Sequence, residues 1–242
     1  MMSIRMKLFG LALVLVLSAC ASAPRQAAPD TFVSPNFAQP KPDSLIVLLP
    51  PGVEAEDLRA GATILMNALH QRLTAAGYRV VALDKGSHDA IWAQEVEAVG
   101  GIYDPSNGAV RPREIIQAVG HLVQRVTSET GGAMVIVPRL QLREAEVSGM
   151  SALWDGQQRR VPTFGTGGDT LSHSGSTLGL SVGLEMYATS GEKVMSTFGG
   201  ALLPYRINAR SGKNEVRADL FADESEVADG VVIALAPFLG KR

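Results

Sequence analysis

Leu45-Ile46-Val47-Leu48-Leu49 is an unbroken apolar run, closed by Pro50-Pro51-Gly52. A short apolar run bounded by turn residues reads as a strand buried on both faces. The period then changes. Leu58, Ala62, Leu65, Leu69, Leu73 and Ala76 recur at helical spacing, which predicts a helix over 55–76 with Gly77 as its stop. Tyr78–Leu83 reads as a second strand. A strand, a helix and a strand in succession set the chain among sheets covered by helices.

Working toward the C-terminus, a helix is predicted over 88–99, followed by Gly100-Gly101 and a turn at Asp104-Pro105-Ser106-Asn107-Gly108. Asp89 is placed at the start of that helix in a capping role. Pro112 sits at the first position of the next helix. Ile115, Val119, Leu122 and Val126 line its buried face, with Ile116 and Val123 beside them, and Gly131-Gly132 ends it. Met134–Val137 is another buried strand that can run on through Leu140 and Leu142. From there the period is two. Val147–Val161 reads as strand segments broken at Ser148-Gly149 and Asp155-Gly156. Residues 162–176 read as a Gly/Ser/Thr loop. Thr177–Tyr187 alternates Leu178, Leu180, Val182, Leu184 and Met186 with Gly179, Ser181, Gly183 and Glu185, and Ser190-Gly191 turns it into a strand over 193–203. A last helix begins near Asp223, with Asp223 and Glu226 at N-cap and N3 spacing, and carries Val227, Val231, Leu235 and Phe238 inward. Pro237 is expected to kink or end it.

The N-terminus reads differently. Arg5 and Lys7 precede the apolar run Leu8–Leu17, and small residues Ser18 and Ala19 follow. This is the anatomy of a secretory signal, and about ten apolar residues are too few for a permanent span, which needs roughly 20. Leu17-Ser18-Ala19-Cys20 resembles the bacterial lipobox, in which the thiol receives a diacylglyceryl group and becomes the new N-terminus. The resemblance implies an envelope protein held on a lipid bilayer through acylated Cys20. Ala21, rather than Asp, after the cysteine points to the outer membrane, with the domain facing the periplasm. Pro24, Pro29, Pro35, Pro40 and Pro42 crowd the stretch after it, which reads as an extended tether. Phe32, Val33 and Phe37 are its apolar exceptions, suited to docking on the domain or on a neighbouring subunit.

Composition excludes other classes. The chain has 242 residues, 46% hydrophobic and 19% charged, with a formal net charge of −2. That is enough apolar content for a core, and no basic footprint for nucleic acid. The single cysteine excludes an internal disulfide and a Cys-based metal site. Gly165-Thr166-Gly167-Gly168 lacks the strand before, the helix after and the Lys-Ser/Thr ending of a phosphate loop, so no nucleotide is expected. Ser172-His173-Ser174 is the best nucleophile neighbourhood, but no Gly-x-Ser-x-Gly elbow surrounds it. His70 and His121 fall on helices, and Glu95 and Glu97 point apart on one. No cofactor or metal is expected. Arg139, Arg143, Arg159 and Arg160 form a basic group around the middle strands, read first as charged strand faces and edges. Trp154, beside a turn, is equally suited to an exposed aromatic anchor and to core packing. Trp154, Arg159 and Arg160 are therefore the candidate interaction residues.

The order of elements, with Gly77-Tyr78-Arg79-Val80 opening a strand and Gly131-Gly132-Ala133-Met134 leading into another, resembles the N-terminal domain of TolB. It is similar to the α/β sandwich of the envelope lipoproteins LpoB, PelC and CsgG. That resemblance implies proteins that activate, assemble or export at the envelope, most of them without catalysis. CsgG forms a pore through long transmembrane hairpins, whereas the hairpin at 177–203 is short and carries Glu185, Glu192 and Lys193.

The expected fold class is therefore α/β (α+β). It is a three-layer sandwich, one mixed sheet with a C-terminal β-hairpin region covered by helices. The expected organisation is a signal peptide over 1–19, lipidated Cys20 and tether over 20–43, and a single domain over 44–242. The expected function is a non-enzymatic interaction, assembly or regulatory component of the envelope, partnered by another envelope protein or by itself. The alternatives are a periplasm-facing hydrolase or metal enzyme using the 162–176 loop, and a lipoprotein that binds a small ligand.

Overall fold

The computed structural model describes residues 28–164, 173–208 and 214–240. In chain order the elements are β1 (Phe32–Val33), β2 (Leu45–Leu48), β3 (Gly52–Val53), α1 (Gly61–Ala75), β4 (Arg79–Ala82), α2 (Lys85–Ala98) and α3 (Pro112–Thr130). They continue with β5 (Met134–Gly149), β6 (Ser151–Trp154), β7 (Gln157–Arg160), β8 (Thr163–Phe164), β9 (His173–Ala188), β10 (Lys193–Leu202), β11 (Tyr205–Asn208), β12 (Asn214–Val216) and α4 (Ser225–Leu239).

Among the described residues, nine strands form one mixed sheet with the path β1-β10-β9-β5-β2-β4; β3 and β6 also pair with β5, and β7 with β6. The pairings of β2 with β4 and β5 are parallel, and those of β9 with β5 and β10 are antiparallel. A small sheet, β12-β11-β8, lies apart from it. This is the expected α/β sandwich with a mixed sheet.

Alternation along each strand sorts side chains onto two faces. On one face Ile46, Leu48, Ile136, Leu180, Val182 and Leu184 meet Leu65, Leu69 and Leu73 of α1 and Val227, Val231, Leu235 and Phe238 of α4. On the other, Val47, Leu49, Val135 and Tyr187 meet Ile91 of α2 and Leu122, Val123 and Val126 of α3. Close approach fixes the first layer. A Cβ at Gly199 of β10 would collide with the Gly230 carbonyl oxygen of α4. The helix backbone therefore lies directly on the strand.

Several elements differ from expectation for identifiable reasons. The first helix is broken. Glu56–Leu58 is a 3-10 turn, and α1 begins at Gly61, where a Cβ would be 2.5 Å from the Phe221 ring. The next helix starts three residues earlier than predicted, because Asp84 caps it by accepting from Ser87 N–H (2.9 Å). Asp89 is inside that helix and pairs with Lys85 (2.5 Å). On α3, Val123 is buried but Ile116 is 73% exposed. β5 runs on for 16 residues to Gly149, through Pro138. Pro138 falls between the stretches paired with β2 and β3, opposite the break at Pro50-Pro51. At α4, Glu224 is the N-cap residue and gives no side-chain cap, while Asp223 accepts from Ser225 N–H (3.0 Å). Glu226 does not reach back; it pairs with Arg217 (3.3 Å).

The 162–176 stretch is not wholly a loop. Thr163–Phe164 is β8, paired in parallel with β11, and β9 already begins at His173. The Gly165–Gly168 cluster and Ser172 lie outside the described residues, as do Cys20 and the signal segment.

The stretch expected as tether lies along the domain wherever it is described. β1 pairs with the edge of β10, Phe32 opposite Ser196. Phe37 then stacks toward Phe238, with ring centroids 6.1 Å apart. Among the described residues no helix is long and apolar enough to cross a membrane.

Candidate functional site

Two places on this scaffold combine built geometry with chemistry. The first is a charged junction on the face that carries α2 and α3. β5 brings Arg143 to that face, and β9 brings Ser181. The turn between β6 and β7 folds back over both. Its Trp154 lies on Gly179 and Gly200, where a Cβ would come within 2.5 and 2.9 Å of the indole. The indole N–H donates to the Leu180 carbonyl (3.2 Å). This seats Asp155, at φ 41°, against the sheet.

The Asp155 carboxylate accepts from the Ser181 hydroxyl (2.6 Å) and forms an ion pair with Arg143 Nε (2.6 Å). The two terminal nitrogens of Arg143 reach the two oxygens of Asp30 at 3.0 and 2.7 Å. The guanidinium also lies 4.0 Å over the Phe198 ring. Burial opposes the charge on Arg143, but Asp30 and Asp155 outweigh it and hold the pKa above the ordinary guanidinium value. Among the described residues no histidine joins the group, and the serine hydroxyl donates its proton to Asp155. Chemically the group is a clamp. It ties the residues nearest the N-terminal segment to a hairpin and to the sheet.

Beside it, Glu185 is held by Arg139 (3.2 Å), Lys193 (3.2 Å) and the Tyr187 hydroxyl, which donates to it (3.1 Å). Burial, then the neighbouring Glu185 charge, push the Tyr187 phenol well above its usual range, so it remains a donor.

The second place is a groove of about 740 Å³ on the opposite side, lined by Gln39–Pro42, Arg72, Ala75 and Ala76, Tyr78, and Val232, Ala236, Leu239 and Gly240 of α4. Tyr78 sets its wall. Its hydroxyl accepts from Gln39 Nε2 (2.9 Å) and donates to the Pro40 carbonyl (3.2 Å). Its ring packs on Phe238, centroids 5.5 Å apart. A shallower recess of about 430 Å³ lies beside β3, where Glu54 accepts from Leu142 N–H (2.8 Å).

Trp154 is buried, 6% exposed, and belongs to a small core with Ala145, Val147, Ala152, Val161 and Leu203. Of its two readings, the structure places it in the core and not as an exposed anchor. Arg159 is half-buried. It donates to the Ala201 carbonyl (3.1 Å) and pairs with Asp229 (2.9 Å), tying β7 to β10 and α4. Arg160 is exposed, with Met150 Sδ at 3.9 Å. The three do not form one surface patch. Glu95 faces His121 and Arg125 (3.5 Å each), while Glu97 is exposed. Among the described residues no three His, Cys, Asp or Glu side chains are grouped to hold a metal. Sequence reasoning missed both the clamp and the groove.

No family model matches the sequence, and no curated protein matches it. Solved structures similar to the chain include a PelC dodecamer from Paraburkholderia phytofirmans, 11% identical, with a TM-score of 0.39 over 88% of this chain and 96% of that one. Another is a lipoprotein from Neisseria meningitidis, 13% identical, with a TM-score of 0.34 over 80% of this chain and 99% of that one.

Proposed function

We propose that this chain is a lipid-anchored envelope component, on the outer membrane and facing the periplasm, that works by binding another envelope protein or itself. The observation that carries the reading is the N-terminal run of Arg5 and Lys7, apolar Leu8–Leu17 and Leu17-Ser18-Ala19-Cys20. Several acyl chains on one thiol hold a protein firmly, at about 0.8 kcal/mol per buried methylene.

The docking of residues 28–43 sharpens the geometry. Residues 21–27 are the only part of the chain between Cys20 and the docked segment. At a limit of ~3.5 Å per residue they reach about 25 Å. The domain is therefore held near the bilayer surface, with the Asp30 end of the molecule toward it.

The test is metabolic labelling with an alkyne analogue of palmitate, with and without globomycin. Wild type should be labelled, sediment with outer membranes, and accumulate unprocessed when the signal peptidase is blocked. The Cys20→Ser chain should carry no label and leave the membrane fraction. An unlabelled wild type that fractionates like Cys20→Ser sinks the reading. Crosslinking in intact envelopes then identifies the partner.

A further inference from the structure

We infer that the groove between Gln39–Pro42, the end of α1 and the outer side of α4 is a binding site for an anionic single-chain amphiphile, such as a fatty acid or a lysophospholipid. The inward stripe of α4, formed by Val227, Val231, Ala234, Leu235 and Phe238, is fully committed to the core. From Gly230 onward the outward side is apolar too, with Val232, Ala236 and Leu239 spaced along it, and Val232 is 40% exposed. A helix that is apolar all round belongs under cover on every side. Here the outer cover is missing, and the groove is where it would lie.

The walls match a hydrocarbon chain. Ala75 and Ala76 face the same space, and Pro40 and Pro42 contribute no backbone N–H. The Tyr78 hydroxyl has already used its proton on Pro40 and accepts from Gln39, so the wall presents no unmet polar demand. The volume of about 740 Å³ falls within the ordinary range for small-molecule sites.

The rim decides the head group. Lys41 and Arg72 line the groove, both are exposed, and among the described residues no carboxylate lines it. Neither cation has an acid partner among the described residues, and both stand at the apolar groove wall. Two unpartnered cations over an apolar floor complement an anionic head on an acyl chain. The chain's own acylated Cys20 is the competing occupant, but its diacylglyceryl group is neutral and leaves both cations unanswered.

The test uses the full chain carrying Cys20→Ser, exported without lipid, and the fluorescent fatty acid cis-parinarate as the probe. One saturable site is expected. Palmitate and lysophosphatidylglycerol should displace the probe, and inorganic phosphate alone should not. Neutral monopalmitoylglycerol should compete about fivefold less well, and Lys41→Gln with Arg72→Gln should erase that preference. Ala236→Glu, at an exposed position, places a carboxylate on the floor and should abolish binding with an unchanged melting temperature. Absence of probe binding, binding indifferent to Ala236→Glu, or equal competition by the neutral lipid overturns the inference. The last outcome would point to the chain's own anchor. None of these results bears on lipidation of Cys20, which is measured separately.

Discussion

The two faces of the sheet are finished by different means. Under α1 and α4 the interior is continuous hydrocarbon. It closes over Tyr78, Phe238 and Phe37, and Gly199 against Gly230 lets helix and strand backbones touch. Under α2 and α3 the apolar layer is smaller and stops near Tyr187. Beyond it the sheet carries Arg139, Glu185, Arg143 and Ser181, roofed in part by the β6–β7 hairpin through Trp154 and Asp155. The first face is held mainly by packing, with Arg159–Asp229 and Arg217–Glu226 pairing only at the N-terminal half of α4. The other spends paired charge to hold a hairpin and the N-terminal segment in place. The difference predicts that substitutions on the first face cost volume, and that substitutions on the second cost pairing.

The largest effect belongs to the first face. Phe238 is 1% exposed and meets both Phe37 and Tyr78. Phe238→Ala leaves a cavity under α4 and should cost about 3–5 kcal/mol in chemical denaturation. Because Phe37 loses its partner, protease cleavage within residues 34–42 should accelerate as well. A loss under 1 kcal/mol would mean that the N-terminal segment and α4 do not share a core.

The second effect tests the pairing. Asp155 keeps only 4% of its side chain exposed, while Arg143 keeps 21% and has Asp30 as a second partner. Removing one member of a buried pair costs about 3–5 kcal/mol, and the partial exposure and the remaining partner reduce this to about 2 kcal/mol. Asp155→Asn is the suitable change, since Asn tolerates the positive φ that Ala would not. Adding Arg143→Met should recover part of the loss. Strictly additive losses would show that the two side chains are neighbours without being coupled.

How much of this was legible in the sequence follows from what each feature depends on. β2, α3 and the β9–β10 hairpin were readable because each satisfies its own period within a dozen or so residues. The full length of β5 was not, because Pro138 and the charged residues Arg139, Arg143, Glu144 and Glu146 mimic a strand end. Only pairing with β9 along its whole length reveals it. Ile116 looked like part of a buried face because the helical period alone does not show where a neighbouring layer ends. The clamp joins positions 30, 143, 155 and 181, and the groove joins 39–42, 72–78 and 232–240. Neither exists until the sheet brings distant segments together. Trp154 had two readings of equal standing. Gly179 and Gly200, whose missing side chains make room for it, decide between them only once the strands are in register.

The smallest effect lies outside both interiors and so checks that the contrast concerns interiors alone. Asp84, Asp104 and Asp223 are exposed carboxylates that accept from Ser87, Ser106 and Ser225, and those hydrogen bonds hold each below the ordinary aspartate value of 3.8. Asp219 is lowered in the same direction, first by Arg217. A carboxylate depressed in the folded state contributes stability that is fully present above its unfolded value. That contribution is lost as pH falls through the folded value. Melting temperature should therefore be level above about pH 5 and decline below about pH 4. Ser87→Ala, Ser106→Ala and Ser225→Ala together should make that decline shallower. Asp84 and Asp104 flank α2, and Asp219 and Asp223 lead into α4, so the acid loss is shared by both sides of the sheet. It should have the same midpoint in Phe238→Ala and in the Asp155→Asn, Arg143→Met double variant. A midpoint that moved in only one of those backgrounds would place the acid-sensitive charge inside one face and break the contrast between them.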